Sequence, residues 1–143
     1  MTRIDFYTNV ADRLQTACTL CGKAVARQMR VLVLTADAES TERMDRLLWT
    51  HPPVGFLPHV RARHRLAAVT PIVVDHDPGT LERDDLLLNL RPDTPELFSR
   101  FQRVIEIVGQ DDEETQAGRL RYRFYRDRGY EITHHDLGTT APG

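Results

Sequence analysis

The apolar positions of the chain fall into short continuous runs separated by longer stretches of helical spacing. Residues 31–34, 72–74, 86–90 and 104–108 are almost entirely apolar and rich in β-branched side chains or leucine. Short runs of this kind, bounded by turn residues, are typical of strands that are covered on both faces. Residues 4–7 are a weaker run of strand-forming residues and predict a first strand ending at Thr8-Asn9.

Helical spacing fills the intervals between these runs. Residues 12–29 carry apolar side chains at three- and four-residue steps, which predicts an amphipathic helix. Ser40 offers an N-cap for a short helix over residues 41–49, which His51-Pro52-Pro53 would end. Thr94 before Pro95 predicts another helix start, and acidic residues 111–114 open a final helix that Gly129 ends.

Strand and helix therefore alternate along the whole chain. Residues 56–57 and 130–133 add two brief predicted strands. This alternation predicts a three-layer α/β/α sandwich with a mostly parallel sheet. We expect one domain over residues 1–135, followed by a flexible polar tail over residues 136–143.

Composition and charge restrict the classes of function. The chain has 143 residues, 41% hydrophobic and 28% charged, which suits one folded domain. A net charge of -2 gives no global positive field, so we expect contact with DNA only through other proteins. No apolar run approaches the roughly 20 residues that span a bilayer, and no secretion signal opens the chain, so we expect a cytoplasmic protein without membrane contact.

Nucleotide-binding and redox motifs find little support. Neither G-x-G-x-x-G nor the P-loop pattern follows a predicted strand, so the sequence predicts no nucleotide site and no cofactor. Cys18 and Cys21 form a C-x-x-C pattern, but they lie about two turns inside the first helix, where its N-terminus does not favour a thiolate. Core packing is the better interpretation.

Asp75-His76-Asp77 follows an apolar strand and raises the alternative of an enzyme. Strand ends are where α/β enzymes place catalytic groups, and these side chains suit a divalent cation. They are also ordinary turn residues before Pro78-Gly79, which is the reading that we favour. The alternative function is a metal-dependent phosphoesterase using Asp75, His76 and Asp77.

The last predicted helix carries a cationic face. Arg119, Tyr122, Arg123 and Arg126 recur at three- and four-residue spacing, so they share one side of the helix. Arg119 and Arg123 are like charges at i,i+4, which costs an isolated helix a few tenths of a kcal/mol. A bound carboxylate would offset that cost. Sequence physics alone leaves a peptide-binding face and a solvated helix surface equally open.

A second candidate surface surrounds Trp49, Pro52 and Phe56. Aromatic side chains beside a proline turn often anchor interfaces, but a lone tryptophan in a small domain is more often part of the core. The physical interpretation of the residues favours the core.

Several blocks of sequence resemble one known family. Residues 30–37, 46–52 and 56–59 stand in an order and spacing similar to those of the chi subunit family of bacterial DNA polymerase III. The resemblance runs from Phe6-Tyr7 through residues 85–90 to residues 121–126 and Gly129-Tyr130, which is nearly the whole chain.

The resemblance implies an accessory subunit with a Rossmann-like fold and no nucleotide or catalytic site. Its implied partners are the psi subunit of the clamp loader and the acidic C-terminal tail of single-stranded-DNA-binding protein, with a repair helicase in some bacteria. The implied residues of the tail site are Val108, Arg119, Tyr122, Arg123 and Arg126. The implied residues of the psi or helicase surface are Trp49, Pro52 and Phe56.

Overall fold

Seven parallel strands form one open sheet in the computed structural model, which describes residues 1–50 and 57–138. The strands lie in the order β3-β4-β2-β5-β6-β1-β7, and every paired register is parallel. They are β1 (Arg3–Val10), β2 (Val31–Leu34), β3 (His59–Val60), β4 (Ile72–Asp75), β5 (Leu86–Asn89), β6 (Arg103–Gly109) and β7 (Glu131–Asp136).

Helices cover both faces of this sheet. They are α1 (Arg13–Ala26), α2 (Ala38–Thr50) and α3 (Asp112–Asp127), with a 3₁₀ helix over Glu96–Arg100 between β5 and β6. Successive strand side chains alternate between two cores: Val31 and Val33 pack with α1 and α2, whereas Leu32 and Leu34 face the core shared with α3. The predicted three-layer sandwich is confirmed.

The ends of several elements differ from the prediction. The carboxylate of Asp37, rather than the hydroxyl of Ser40, caps the start of α2, because it accepts a hydrogen bond from the Ser40 amide at 2.8 Å. Pro95 precedes the helix as its cap residue, and the segment is a 3₁₀ helix. Leu57 is not in a strand, because the pairing with β4 begins at His59.

The predicted C-terminal boundary falls within an element. β7 continues to Asp136, where Thr8 of β1 is its register partner. The strand therefore includes the first residue of the predicted tail. Residues 139–143 lie outside the described residues, as do Pro52 and Phe56 of the predicted partner surface and the His51-Pro52-Pro53 helix stop.

The two cysteines belong to the core. Cys18 and Cys21 are free thiols with no exposed surface, packed in the core beneath α1. Burial raises the pKa of Cys18 to about 11 and also raises the pKa of Cys21. A thiol held protonated in this way is a poor nucleophile and metal ligand, so the core interpretation is confirmed.

Arg13 closes the carboxyl edge of the sheet above β5 and β6, where open α/β folds commonly bind ligands. Its guanidinium donates to the backbone oxygens of Ile107 at 3.2 Å and Leu90 at 3.0 Å, and it pairs with Glu114 at 3.1 Å. Side chains of the protein itself therefore fill this position. Among the helices within the described ranges, none is long and apolar enough to cross a membrane.

Candidate functional site

A cleft of about 480 Å³ opens between α3 and the edge of the sheet formed by β1 and β7. Its floor includes Phe6 and Val108, and its lining continues to Asn9 and Gly109 near the carboxyl ends of β1 and β6, and to Gln110. Tyr122 contacts Phe6 edge-on, with 5.3 Å between ring centroids. The floor is thus apolar and aromatic, whereas the rim is polar. The lining residues are Phe6, Thr8, Asn9, Val108, Gly109, Gln110, Thr115, Gly118, Arg119, Tyr122, His134 and Asp136.

The close approach of α3 to β6 shapes the base of this cleft. Gly118 lies directly over Val108, and a β-carbon added at Gly118 would lie 2.7 Å and 2.8 Å from the two Val108 methyl groups. Real β-carbons are not found at such distances. Only glycine therefore allows the helix to rest this near the strand.

The helical wall of the cleft carries part of the predicted cationic face. Arg119 and Tyr122 line the cleft, and Tyr122 is 37% exposed. Arg123 and Arg126 are exposed on α3 but are not among the residues lining the cleft. Arg126 pairs with Asp127 at 3.0 Å. With Val108 on the floor, three of the five predicted residues meet in the cleft, and two lie on the helix outside it.

Neither Arg119 nor Arg123 is committed to an internal contact. Across residues 1–50 and 57–138, the two guanidinium groups form no hydrogen bond and no ion pair. Most other arginines near the sheet are paired, as Arg13, Arg103 and Arg121 are. The helical wall therefore presents positive charge to solvent beside an apolar floor.

The opposite wall of the cleft comes from the edge strand β7. His134 and Asp136 point to the same face of the sheet as Phe6 and Thr8, their register partners on β1. A ring nitrogen of His134, Nε2, lies 2.7 Å from the Thr8 hydroxyl. This wall therefore carries the imidazole of His134 and the carboxylate of Asp136. The sequence pattern assigned neither residue to the site.

A buried polar network fixes α3 on the sheet beside the cleft. Glu106 of β6 is fully buried and accepts hydrogen bonds from Arg121 Nε at 2.7 Å and Tyr125 Oη at 2.7 Å. The Asn89 amide adds contacts at 3.1 Å. Burial raises the pKa of the Glu106 carboxyl, and Arg121 opposes that effect most strongly. A lone glutamate within a strand of β-branched residues was the available sequence signal for this network.

The proposed metal ligands are engaged elsewhere. Both carboxylate oxygens of Asp75 accept from Arg61 at 3.2 Å, and the amides of Ala62, His76 and Asp77 also donate to them. Burial alone would raise the pKa of Asp75, but these donors outweigh it and the pKa is lowered. No group of three or more suitable side chains in residues 1–50 and 57–138 could hold a metal ion. The phosphoesterase alternative gains no support from this geometry.

Trp49 lies on the surface, contrary to the core prediction. It is 53% exposed near the end of α2, and its ring contacts His59 edge-on at 5.3 Å between centroids. Its neighbours Leu14, Arg43 and Leu47 line a shallow groove between α1 and α2. The buried apolar positions of α2 are Met44 and Leu48, so helical geometry turns Trp49 away from the core.

These features define a parallel α/β sandwich with an apolar cleft at one sheet edge, flanked by Arg119 and Arg123, which have no ion-pair partner among the described residues. The family model for the DNA polymerase III chi subunit, HolC, matches residues 1–133. The chain belongs to this family.

Individual relatives agree with that assignment. A DNA polymerase III subunit chi from Pseudomonas aeruginosa is 36% identical over 141 residues, covering 96% of this chain and 98% of that protein. The subunits of the same name from Haemophilus influenzae and Escherichia coli are each 27% identical. They cover 87% and 82% of this chain, and 87% and 81% of their own lengths.

Proposed function

We propose that this chain is a non-catalytic accessory subunit that joins the clamp loader to single-stranded-DNA-binding protein. The cleft between α3 and β7 binds the acidic C-terminal tail of that protein. A separate surface that includes Trp49 binds the psi subunit, or a repair helicase in its place. The observation that carries the proposal is the apolar cleft flanked by Arg119 and Arg123, two guanidinium groups without internal partners in the described chain.

The shape of the cleft suits the end of a peptide. Phe6, Val108 and Tyr122 offer an apolar and aromatic surface for one terminal side chain. Aromatic rings gain from edge-on and offset contacts with each other, so a terminal aromatic residue fits this floor. The terminal carboxylate would then lie near Arg119, where a guanidinium fork matches its two oxygens.

The charge outside the cleft suits the acidic residues that precede such a terminus. Arg123 and Arg126 continue the positive surface along α3 beyond the cleft. Arg126 already shares its charge with Asp127, so Arg123 contributes more. Exposed charges of this kind steer and orient an oppositely charged partner more than they anchor it. Aromatic burial would supply most of the affinity.

The second surface rests on the exposure of Trp49. A tryptophan that is 53% exposed beside an apolar groove is a common type of interface anchor. The resemblance to the chi family supports psi or a helicase as its partner. A role at the replisome in the cytoplasm follows from the same proposal.

Titration calorimetry tests the tail site directly. The ligand is a synthetic peptide with several aspartates and a free terminal phenylalanine. We expect Arg123→Glu to weaken binding about tenfold, or about 1.4 kcal/mol, because it places a carboxylate beside the acidic residues. Arg65→Glu makes the same change of charge at an exposed arginine in the loop after β3, and should leave the affinity unchanged.

One outcome would contradict the proposed role of Arg123. Equal affinity of the wild-type protein and Arg123→Glu, with both folded by circular dichroism, would remove Arg123 and the positive surface beyond the cleft from the binding site. Amidation of the peptide terminus offers a check from the ligand side, because it removes the carboxylate that Arg119 is proposed to bind. A pull-down on single-stranded-DNA-binding protein with and without its last residues extends the test to the whole partner.

A further inference from the structure

Two consecutive histidines on the edge strand β7 face opposite sides of the sheet. His134 lines the cleft and lies 2.7 Å from the Thr8 hydroxyl. His135 faces the α1 side, stacks on Tyr7 with ring centroids 4.4 Å apart, and lies 3.2 Å from the Asp5 carboxylate. One of the pair therefore belongs to the cleft and the other does not.

His134 is the only histidine among the residues that line the cleft within the described chain. It is exposed, and only its Nε2 has a hydrogen-bond partner within residues 1–50 and 57–138. The Thr8 hydroxyl can donate to Nε2, which leaves the other ring nitrogen able to donate to a ligand. A protonated ring can donate from both nitrogens.

Among the described residues that line the cleft, three besides His134 carry an ionisable side chain. Asp136 lies on the same wall, and Arg119 and Tyr122 face it from α3 across the cleft. The β1 residues on this face, Phe6 and Thr8, do not ionise near neutral pH. The wall formed by β7 thus carries one negative charge when His134 is neutral and none when it is protonated.

We infer that His134 is a second, titratable contact of this cleft for the anionic end of the bound peptide, opposite Arg119. The inference rests on the proposed function of the cleft and adds to it a dependence on pH. Protonation of His134 places a positive charge in the cleft, and this charge offsets the negative charge of the nearby Asp136 carboxylate. Capture of an acidic peptide therefore strengthens as the pH falls through the range where histidine becomes charged.

The sign follows from the charges of ligand and site. Peptide carboxylates stay ionised down to about pH 4, so the ligand keeps its charge while histidine titrates. Arg119 stays charged throughout this range. The change in affinity between pH 8 and pH 6 then reports on histidine protonation near the ligand. An exposed charge pair changes affinity about two- to fivefold, and we expect a change of this size.

The experiment compares three proteins at pH 6 and pH 8 by calorimetry with the aspartate-rich, phenylalanine-ended peptide. Wild-type protein should bind about two- to fivefold more tightly at pH 6. His134→Gln should lose this ratio, because glutamine can still bond to Thr8 but does not titrate. His135→Gln, the matched control on the opposite face of the same strand, should keep the wild-type ratio.

The possible outcomes distinguish a failure of the role of His134 from a failure of the proposed peptide site. If the wild-type protein binds the peptide at neither pH, the proposed tail site itself is wrong. If the peptide binds but His134→Gln keeps the wild-type ratio, or His135→Gln loses it, the inference about His134 is overturned. Circular dichroism and amide exchange of β7 establish that both variants retain the edge strand.

Discussion

At the scale of single residues, two buried carboxylates show how surroundings decide the behaviour of one chemical group. Asp75 accepts two hydrogen bonds from the Arg61 guanidinium and three more from backbone amides, and its pKa is lowered. Glu106 is more deeply buried with fewer donors, and its pKa is raised by that burial. Asp75 ties the loop after β3 to β4, whereas Glu106 ties α3 to β6. Only the Glu106 contact lies beside the cleft, because Asp75 is on β4 near the other edge of the sheet.

The lowered pKa of Asp75 predicts a specific loss of stability in acid. Ionised Asp75 contributes to the free energy of unfolding. This contribution is fully present above the pKa that an aspartate has in the unfolded chain, about 3.9. Below that pH the unfolded state binds more protons, so the contribution is lost as the pH falls through the lower, folded pKa. Asp75→Asn should cost about 1–2 kcal/mol at pH 7 and less at pH 3.

Urea denaturation at the two pH values, followed by circular dichroism, checks this prediction. An identical difference in the free energy of unfolding between wild type and Asp75→Asn at both pH values would contradict it.

The same variant also tests the alternative of a metal-dependent enzyme. Thermal stabilisation of the wild-type protein by manganese, absent in the variant, would favour the enzyme over the adaptor.

At the scale of elements, the position of α3 decides the depth of the cleft. Gly118 lets the helix approach Val108, and the Glu106–Arg121–Tyr125 network prevents it from sliding along β6. One contact sets the height of the helix above the sheet, and the other sets its register. Arg119 and Tyr122 lie between these two fixed points, so their placement follows from both.

Gly118→Ala should therefore disturb both folding and binding. The new methyl group would overlap the Val108 methyls, and overpacking of this kind costs about 1–3 kcal/mol, more than the gain in helix propensity. Gly22→Ala in α1 is the matched control, since its nearest neighbour would be Leu57 Cδ1 at 4.0 Å. That change should stabilise the protein by about 0.5–1 kcal/mol.

Thermal denaturation and peptide calorimetry on both variants provide the measurement. We expect Gly118→Ala to melt earlier and bind the acidic peptide more weakly, and Gly22→Ala to melt later with unchanged affinity. A stabilised Gly118→Ala variant would mean that α3 tolerates a wider separation from β6 and that the cleft does not depend on this contact.

The same elements show what the sequence could and could not predict. The run over Val31–Leu34 predicted its strand correctly because four buried apolar residues leave little alternative. The start of α2 was misplaced because Asp37 and Ser40 are both good caps, and only the hydrogen bond distinguishes them. The contact between Gly118 and Val108, the strand order and the burial of Glu106 depend on tertiary packing, which residue spacing does not encode.

At the scale of the whole molecule, the two proposed surfaces belong to different layers. The cleft lies on the α3 side of the sheet at the β1–β7 edge. Trp49 lies at the end of α2, which packs with α1 on the other face. The sheet between these layers is a continuous, tightly packed core. Two partners bound at these surfaces would not compete for the same side chains, as an adaptor requires.

This separation predicts independent binding of the two partners, and the lone tryptophan of the chain supplies the probe. Because Trp49 is half exposed, its fluorescence should change when the psi subunit covers it and stay constant when the acidic peptide fills the cleft. Trp49→Ala should lose psi and keep its affinity for the peptide, whereas Arg123→Glu should keep psi and bind the peptide about tenfold more weakly. Calorimetry with the peptide, in the absence and presence of saturating psi, should then give affinities equal within about twofold, or about 0.4 kcal/mol. A larger difference would show that the two surfaces are coupled through the sheet and that the chain does more than connect its partners.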